Sequence, residues 1–345
     1  MEVDQQNKEE KVMVAIDESE YSRYALEWAL QNLNESIVNK QLIVFTAQSI
    51  SDYTYLHASS YGSTPPELIR NIQENQKRIA LSLLDQAKDL CSKYGITAKT
   101  MTESGDAKDL ICEAVEKLNV QLLVLGSHSR GPIKRAFLGS VSNHCVQHVK
   151  CPVLIVKKTV LLFVYSVNLE ICVRFVIRLS MAGEDVKVRA TESGMKNKVM
   201  VAIDDSEFSE YALKWALETL TSTLFDSELL IYTARTPVDI GYLYASSWGT
   251  SELIKELKES EKKASLDLLK KAKTTCSNYG ISAEGIADIG DPKVAICNAV
   301  DKLNVQLLVV GSHGRGAVTR TILGSVSKYC VHHAKCPVLV VKKTD

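Results

Sequence analysis

Two stretches carry residue types and spacings from which binding chemistry can be built. Gly311-Ser312-His313-Gly314-Arg315-Gly316 follows the apolar run 305–310 and leads to Leu323-Gly324-Ser325-Val326-Ser327. Gly126-Ser127-His128-Ser129-Arg130-Gly131 leads in the same way to Leu138-Gly139-Ser140-Val141-Ser142. Glycines after a buried strand let the backbone turn sharply and approach a ligand closely. The segments opened by Gly324-Ser325 and Gly139-Ser140 read as helices, and a helix start offers free N–H groups and a partial positive charge that suit phosphate. Serine hydroxyls can add donors. This chemistry is nucleotide binding by main chain and hydroxyls, with no lysine required. The four-residue spacing from Gly126 to Gly131 and from Gly311 to Gly316 mimics a P-loop, but Pro132 and Ala317 stand where its lysine belongs, which excludes a Walker-type NTPase.

Other chemistry-bearing types have plainer readings. Asp17 and Asp204 end the first apolar run of each half; each can face a ligand, cap the next helix, or do both. His128 and His313 lie beside the glycines with no nucleophile or repeated carboxylate partner in view, and loop polarity is the better reading. His144 and His148 have the helical spacing of a metal pair, but the second half has Tyr329 and His333 there, so a solvated helix face is favoured and no structural metal is expected. Arg130 and Arg315 recur and can steer phosphate.

The elements that must position these residues occur twice. Lys11-Val12-Met13-Val14-Ala15-Ile16-Asp17 recurs as Lys198-Val199-Met200-Val201-Ala202-Ile203-Asp204, and the correspondence continues to the end of each half, with two residues lost after Ser247-Trp248-Gly249. In the first half, residues 12–16 read as a strand, and Ser19, like Ser206 later, as the cap of a helix through Trp28 to about Leu33. A second strand spans 41–47, ending at Ala47 (Ala234 in the second half). A long helix spans about 67–94 and ends before Gly95. A third, polar, edge-like strand spans 97–102. A helix starts at Asp106, a fourth strand covers 120–125, and after the glycine segment come a helix over 140–148 and a fifth strand over 152–157. Alternating apolar strands and helices predict a parallel sheet covered on both faces. Ligands in such sheets sit beyond the strand carboxyl ends, so Asp17 and the segment from Gly126 share a crevice if strands one and four are neighbours.

The sequence divides into a polar tail (1–10), a first domain (11–158), a linker or insert (159–197) with an apolar stretch (160–181), and a second domain (198–345). Glu170, Arg174 and Arg178 interrupt the apolar stretch, and a charge near a span centre costs roughly 3 kcal/mol, which argues against membrane insertion. Met181-Ala182-Gly183-Glu184 reads as a fresh start, as though two coding units had been joined. A formal net charge of zero gives no basic field to recruit nucleic acid. Eight of the nine cysteines fall in equivalent pairs, and without a CxxC spacing they read as reduced thiols. The polar start argues against secretion. The expected location is the cytoplasm, with the nucleus open.

The pattern Gly-x2-Gly-x9-Gly-Ser after strand four, with an Asp ending strand one, resembles the universal stress protein (UspA-like) family. The resemblance covers both halves, including the closing Lys-Cys-Pro-Val-Leu motif, in the manner of a plant-type tandem member. It implies two tandem Rossmann-like, adenine nucleotide alpha hydrolase-like α/β domains, each a five-stranded parallel sheet of order 3-2-1-4-5. It implies ATP or AMP as ligand, with Mg compatible with ATP. The implied site in the second domain is Ala202, Ile203, Asp204, Ser206, Ala234, Val310, Gly311, Gly314, Arg315, Gly324, Ser325, Val326 and Ser327. The weaker site in the first domain is Ala15, Ile16, Asp17, Ser19, Ala47, Leu125, Gly126, Ser129, Arg130, Gly139, Ser140, Val141 and Ser142. The first two motif glycines would approach ribose and phosphates, and Ser140, Ser142, Ser325 and Ser327 would hold phosphate. If the Gly314 position requires φ > 0, Ser129 costs roughly 1 kcal/mol there, which predicts tighter binding in the second domain. The family also often pairs through its fifth strand, so the two domains could pair internally, or the chain could form a homo-oligomer.

The leading expectation is a stress-response nucleotide-binding or signalling module without a catalytic residue, a weak ATPase at most. A slow ATP hydrolase or other ATP-dependent enzyme of the superfamily, and a nucleotide-free dimerisation scaffold, stand as alternatives.

Overall fold

Eight apolar runs of four to nine residues, rich in Val, Ile and Leu, and two more polar segments form ten strands of one sheet among the described residues. The computed structural model describes residues 10–48, 66–128, 138–158, 196–237, 251–314 and 323–343. In the first half these give β1 (Lys11–Ala15), α1 (Glu20–Asn32), α2 (Asn34–Val38), β2 (Gln41–Gln48), α3 (Pro66–Lys93), β3 (Ala98–Ser104), α4 (Ala107–Lys117), β4 (Leu122–Gly126), α5 (Ser140–His148) and β5 (Val153–Val156). The second half repeats them as β6 (Asn197–Ala202), α6 (Glu207–Thr219), α7 (Thr221–Phe225), β7 (Ser227–Arg235), α8 (Ser251–Asn278), β8 (Ala283–Ile289), α9 (Pro292–Leu303), β9 (Leu307–Gly311), α10 (Ser325–His333) and β10 (Val338–Val341).

The strand order is β3-β2-β1-β4-β5-β10-β9-β6-β7-β8. Within each half every pair is parallel, in the order 3-2-1-4-5. The halves meet where β5 and β10 pair antiparallel, with Leu154 opposite Leu339. The polar strands β3 and β8 take the two outer edges, where their exposed residues face water.

Successive residues of a strand point to opposite faces, and two cores follow. Val12 and Val14 pack with Leu26, Ala29 and Leu84 on the α1/α3 side, whereas Met13 and Ala15 pack with Phe45, Ile111 and Cys145 on the α4/α5 side. Each core runs unbroken into the second half. Trp28 is buried in the first of them, and Trp215 packs partly buried against it.

Helix starts follow local chemistry. Ser19 and Ser206 cap α1 and α6 by accepting from the N–H of Ser22 and Ser209, and Asp106 and Asp291 cap α4 and α9. Asn119 and Asn304, both at positive φ, turn the chain after α4 and α9. The short helices α2 and α7 were not anticipated: the chain re-enters a helical turn directly after the caps Leu33 and Leu220, and five residues carry no readable period. Among the described residues no helix is long and apolar enough to cross a membrane. The apolar stretch 160–181 lies outside them.

Candidate functional site

The parallel order puts β1 beside β4, and β6 beside β9, so Asp17 meets the glycine segment at the carboxyl end of one sheet half and Asp204 at that of the other. A cleft opens there in the first half. Ala15, Ile16 and Asp17 line it from β1, Ala47 from β2, Leu125 and Gly126 from β4, and Val141 and Ser142 from α5. Ser22, Phe45, Ala107, Ile111 and His128 line it as well.

Each Asp is built into a turn. Asp17 Oδ1 accepts from the Ser19 N–H at 3.0 Å and from the Ser19 hydroxyl, while Ser22 Oγ donates to the Asp17 carbonyl at 2.8 Å. Asp204 repeats this with Ser206 and Ser209. Oδ1 therefore braces the cap residue in both halves, while Ser19 and Ser206, not the Asp residues, cap the helices themselves.

The glycines are compact for three different reasons. A Cβ on Gly126 would lie 2.8 Å from the carbonyl of Tyr21, and one on Gly311 would lie 2.8 Å from that of Phe208. Those two positions are filled by the backbone of α1 or α6 packing onto the strand, so their lack of a side chain serves helix–strand contact, and Gly126 also lines the cleft. A Cβ on Gly314 would meet Asp204 Oδ2 at 2.8 Å. Gly314 does not sit at positive φ; its glycine keeps room for the Asp204 carboxylate, which replaces the expected backbone-strain argument. A Cβ on Gly324 would lie 3.1 Å from His313 Cα and 3.6 Å from Gly314 N. Asp204, Gly314 and Gly324 thus adjoin at one mouth, closed by the bond from Gly324 N–H to Ser312 O at 2.8 Å.

The helices beyond have open N-termini. Gly139 and Gly324 occupy the N-cap positions, and neither α5 nor α10 has a side-chain cap. Their first N–H groups are left to solvent or ligand. Ser140 and Ser325 are exposed at this end. Ser142 and Ser327, which the sequence assigns to phosphate, are buried and donate to the carbonyls of Gly126 at 2.7 Å and Gly311 at 2.6 Å, and Ser142 lines the cleft. They tie the helix to the strand it follows.

The histidines also depart from the reading of loop polarity. His313 is buried under the Phe208 ring with centroids 5.0 Å apart, its Nδ1 at 3.0 Å from Ser312 Oγ. His128 sits likewise against Tyr21 and Ser127. At 2.8 Å from the Asp288 carboxylate, the Tyr232 hydroxyl marks a difference between halves, because Phe45 holds the equivalent place in the first; burial, with that carboxylate, pushes the phenol well up. No group of side chains able to hold a metal occurs among the described residues. His144 and His148 stack with ring centroids 4.0 Å apart, and Tyr329 and His333 do the same at 3.9 Å.

The profile of the universal stress protein family matches residues 9–157 and 195–342. The chain belongs to this family. A universal stress protein A-like protein of Arabidopsis thaliana is 32% identical over 157 residues, spanning 42% of this chain and 90% of its own length. The universal stress protein Rv2005c of Mycobacterium tuberculosis is 24% identical and is matched over 98% of both chains. The crystal structure of a universal stress protein from Archaeoglobus fulgidus superposes with a TM-score of 0.63 at 21% identity, covering 98% of this chain and 100% of that one. At that identity it speaks for the Rossmann-like fold alone.

Of the residues singled out from the family resemblance, the structure gathers Ala15, Ile16, Asp17, Ala47, Leu125, Gly126, Val141 and Ser142 around one cleft. Ser19 stands behind Asp17 as a cap, and Gly139 and Ser140 mark the helix start. In the second half Ala202, Ile203 and Val310 are buried at the same strand ends, with Ala234 and Val326 partly buried. Ser129, Arg130 and Arg315 lie outside the described residues. Phe45 was missed although it precedes Ala47 by the strand period of two. Ala107 and Ile111 were missed although they share a helix face.

Proposed function

We propose that the protein binds adenine nucleotide at the carboxyl ends of its two half-sheets and works as a stress-response binding or signalling module. One observation carries this reading: the end of β1 and the glycine segment after β4 share one cleft, beside a helix whose N-terminal amides have no side-chain cap. The small apolar wall of Ala15, Ala47 and Val141 leaves room for a planar base. Amides at the starts of α5 and α10 suit phosphate without any lysine. In the second half, Gly314 leaves the Asp204 carboxylate its space, whereas a serine in the corresponding place would press on it, so the second site binds tighter. ATP or AMP is the ligand, with Mg accompanying ATP.

The antiparallel contact of β5 with β10 lets the two units, 11–158 and 198–345, serve as each other's partner in place of a second copy. The described cysteines are all free thiols, which suits the cytoplasm or nucleus.

Mass spectrometry of small molecules released from the purified full chain, followed by calorimetric titration with ATP, tests the reading. Co-purifying ATP or AMP and a lower affinity in Gly324→Ala are expected. A ligand-free protein that fails to bind added ATP would leave only the scaffold, and steady release of ADP would make it an enzyme.

A further inference from the structure

Phe45 and Ala47 line the cleft of the first half from one face of β2. Tyr232 and Ala234 take those places in the second half. Tyr232 stands on the rung of Ala202 as Phe45 stands on that of Ala15, and Tyr232 and Ala234 pack on the same core. Both rings are fully buried. A phenyl ring therefore suffices at this position. The second half adds a hydroxyl, which has to find a partner where water is excluded.

The partner is a carboxylate on the neighbouring edge strand. The Tyr232 hydroxyl donates to Asp288 Oδ2 at 2.8 Å. Asp288 is the rung partner of Ala234 in the parallel β7–β8 ladder, and side chains on one rung project from the same face of a sheet. The carboxylate thus stands at the carboxyl end of the half-sheet, beside the small residue whose counterpart Ala47 walls the first cleft. Asp288 is exposed. An ionised carboxylate offers about four acceptor positions, so one bond from a phenol leaves it able to accept another. Burial and this carboxylate push the phenol up, which keeps it the donor at neutral pH.

In the first half Glu103 holds the rung beside Ala47, and Phe45 has no hydroxyl to fix it. A charge on an edge strand ordinarily guards the edge against further pairing, and Glu103 needs no other role. Asp288 is one carbon shorter and is held by a bond from inside the wall, which edge protection does not call for.

We propose that Asp288, held by Tyr232, selects the base in the second half's site by accepting a hydrogen bond from an exocyclic amine, so that this site takes a 6-aminopurine and rejects a 6-oxopurine. The inference rests on the reading of a nucleotide whose base lies against Ala234 and whose phosphates lie at the start of α10. Adenine presents N–H donors at C6, where hypoxanthine and guanine present a carbonyl oxygen. Two acceptors facing each other leave both without a partner, the costly arrangement. Asp288 is the contact residue. Tyr232 is a positioning residue, without which the carboxylate loses the bond that orients it. The first half, lacking that hydroxyl, discriminates less.

The test is calorimetric titration of the full chain with ATP and, separately, with inosine triphosphate, whose base carries the C6 carbonyl in place of the amine. The tighter site of the parent should prefer ATP by roughly tenfold or more, the scale of a hydrogen bond to a charged group. Asp288→Asn, whose amide can donate to a carbonyl, should remove most of that preference, chiefly by tightening inosine triphosphate. Tyr232→Phe, which installs the ring that the first half already accommodates, should lower the preference several-fold. A merely structural Tyr232 would weaken both nucleotides equally, so the readout is the ratio of the two Kd values. Equal binding of the two nucleotides by the parent, or a ratio that neither variant changes, would overturn this proposal and leave the nucleotide reading standing. Failure of the parent to bind either nucleotide would remove that reading, and this proposal with it.

Discussion

At the scale of single residues, the glycines separate by what would touch a side chain. At Gly311 the obstacle is the backbone of α6, which cannot swing aside. Gly311→Ala should therefore destabilise the fold at the upper end of the ~1–3 kcal/mol expected for overpacking, read as a lower urea midpoint. At Gly314 the obstacle is the far end of a side chain, Asp204 Oδ2 at 2.8 Å. Gly314→Ser should leave the urea midpoint nearly unchanged and weaken ATP binding in the second half about tenfold, or ~1.4 kcal/mol, by calorimetry. An unchanged affinity would mean that the position of the Asp204 carboxylate does not govern binding.

At the scale of elements, Ser206 shows how one small residue sets a helix and a site together. Its hydroxyl oxygen accepts from the Ser209 N–H, and its own N–H and O–H hold the Asp204 carboxylate. Ser206→Ala removes the cap and should cost about 1 kcal/mol, seen as a lower Tm, with weaker nucleotide binding as Asp204 loses its brace. The strands and the helices over 20–32, 66–93, 107–117 and 140–148 were legible because their apolar spacing reports directly on burial. The cap at Ser19 and the start at Asp106 were legible because capping is local. The roles of Gly126, Ser142 and His313 were not, because each is decided by a partner brought up by tertiary packing: Tyr21 of α1, the carbonyl of Gly126, the ring of Phe208. Sequence spacing assigned Gly126 and Ser142 to a ligand and read His313 as loop polarity; packing gives all three structural work that spacing alone does not show.

At the scale of the whole molecule, the seam between halves is held by more than the β5–β10 ladder, since Lys157 and Lys342 each reach across it into the other half's core. Repetition of the two halves about this seam is what makes the exchange reciprocal, and neither lysine has a readable purpose in its own half's sequence. The arrangement has a pH signature. Burial lowers both lysines from an ordinary 10.5 to about 8, against a partly offsetting pull from Cys336, Cys297 and Cys330 on Lys157, and from Cys151, Cys112 and Cys145 on Lys342. Between about pH 8 and 10.5 the unfolded chain keeps protons that the folded chain has released, so these lysines add stability as pH rises through that window and withhold it below. The thiols act in the opposite sense: Cys91 and Cys276 are pushed up to about 11, and Cys151 and Cys336 to about 12, chiefly by burial, so folding holds their protons above about pH 9 and stability falls there. The two trends overlap in the parent protein, and a difference measurement isolates the lysines. In urea unfolding, the stability of the parent relative to Lys157→Met or Lys342→Met should grow by roughly 1 kcal/mol per lysine between about pH 7 and pH 9. A difference flat across that range would mean that the ammonium groups stay solvated at the rim instead of closing the seam from within.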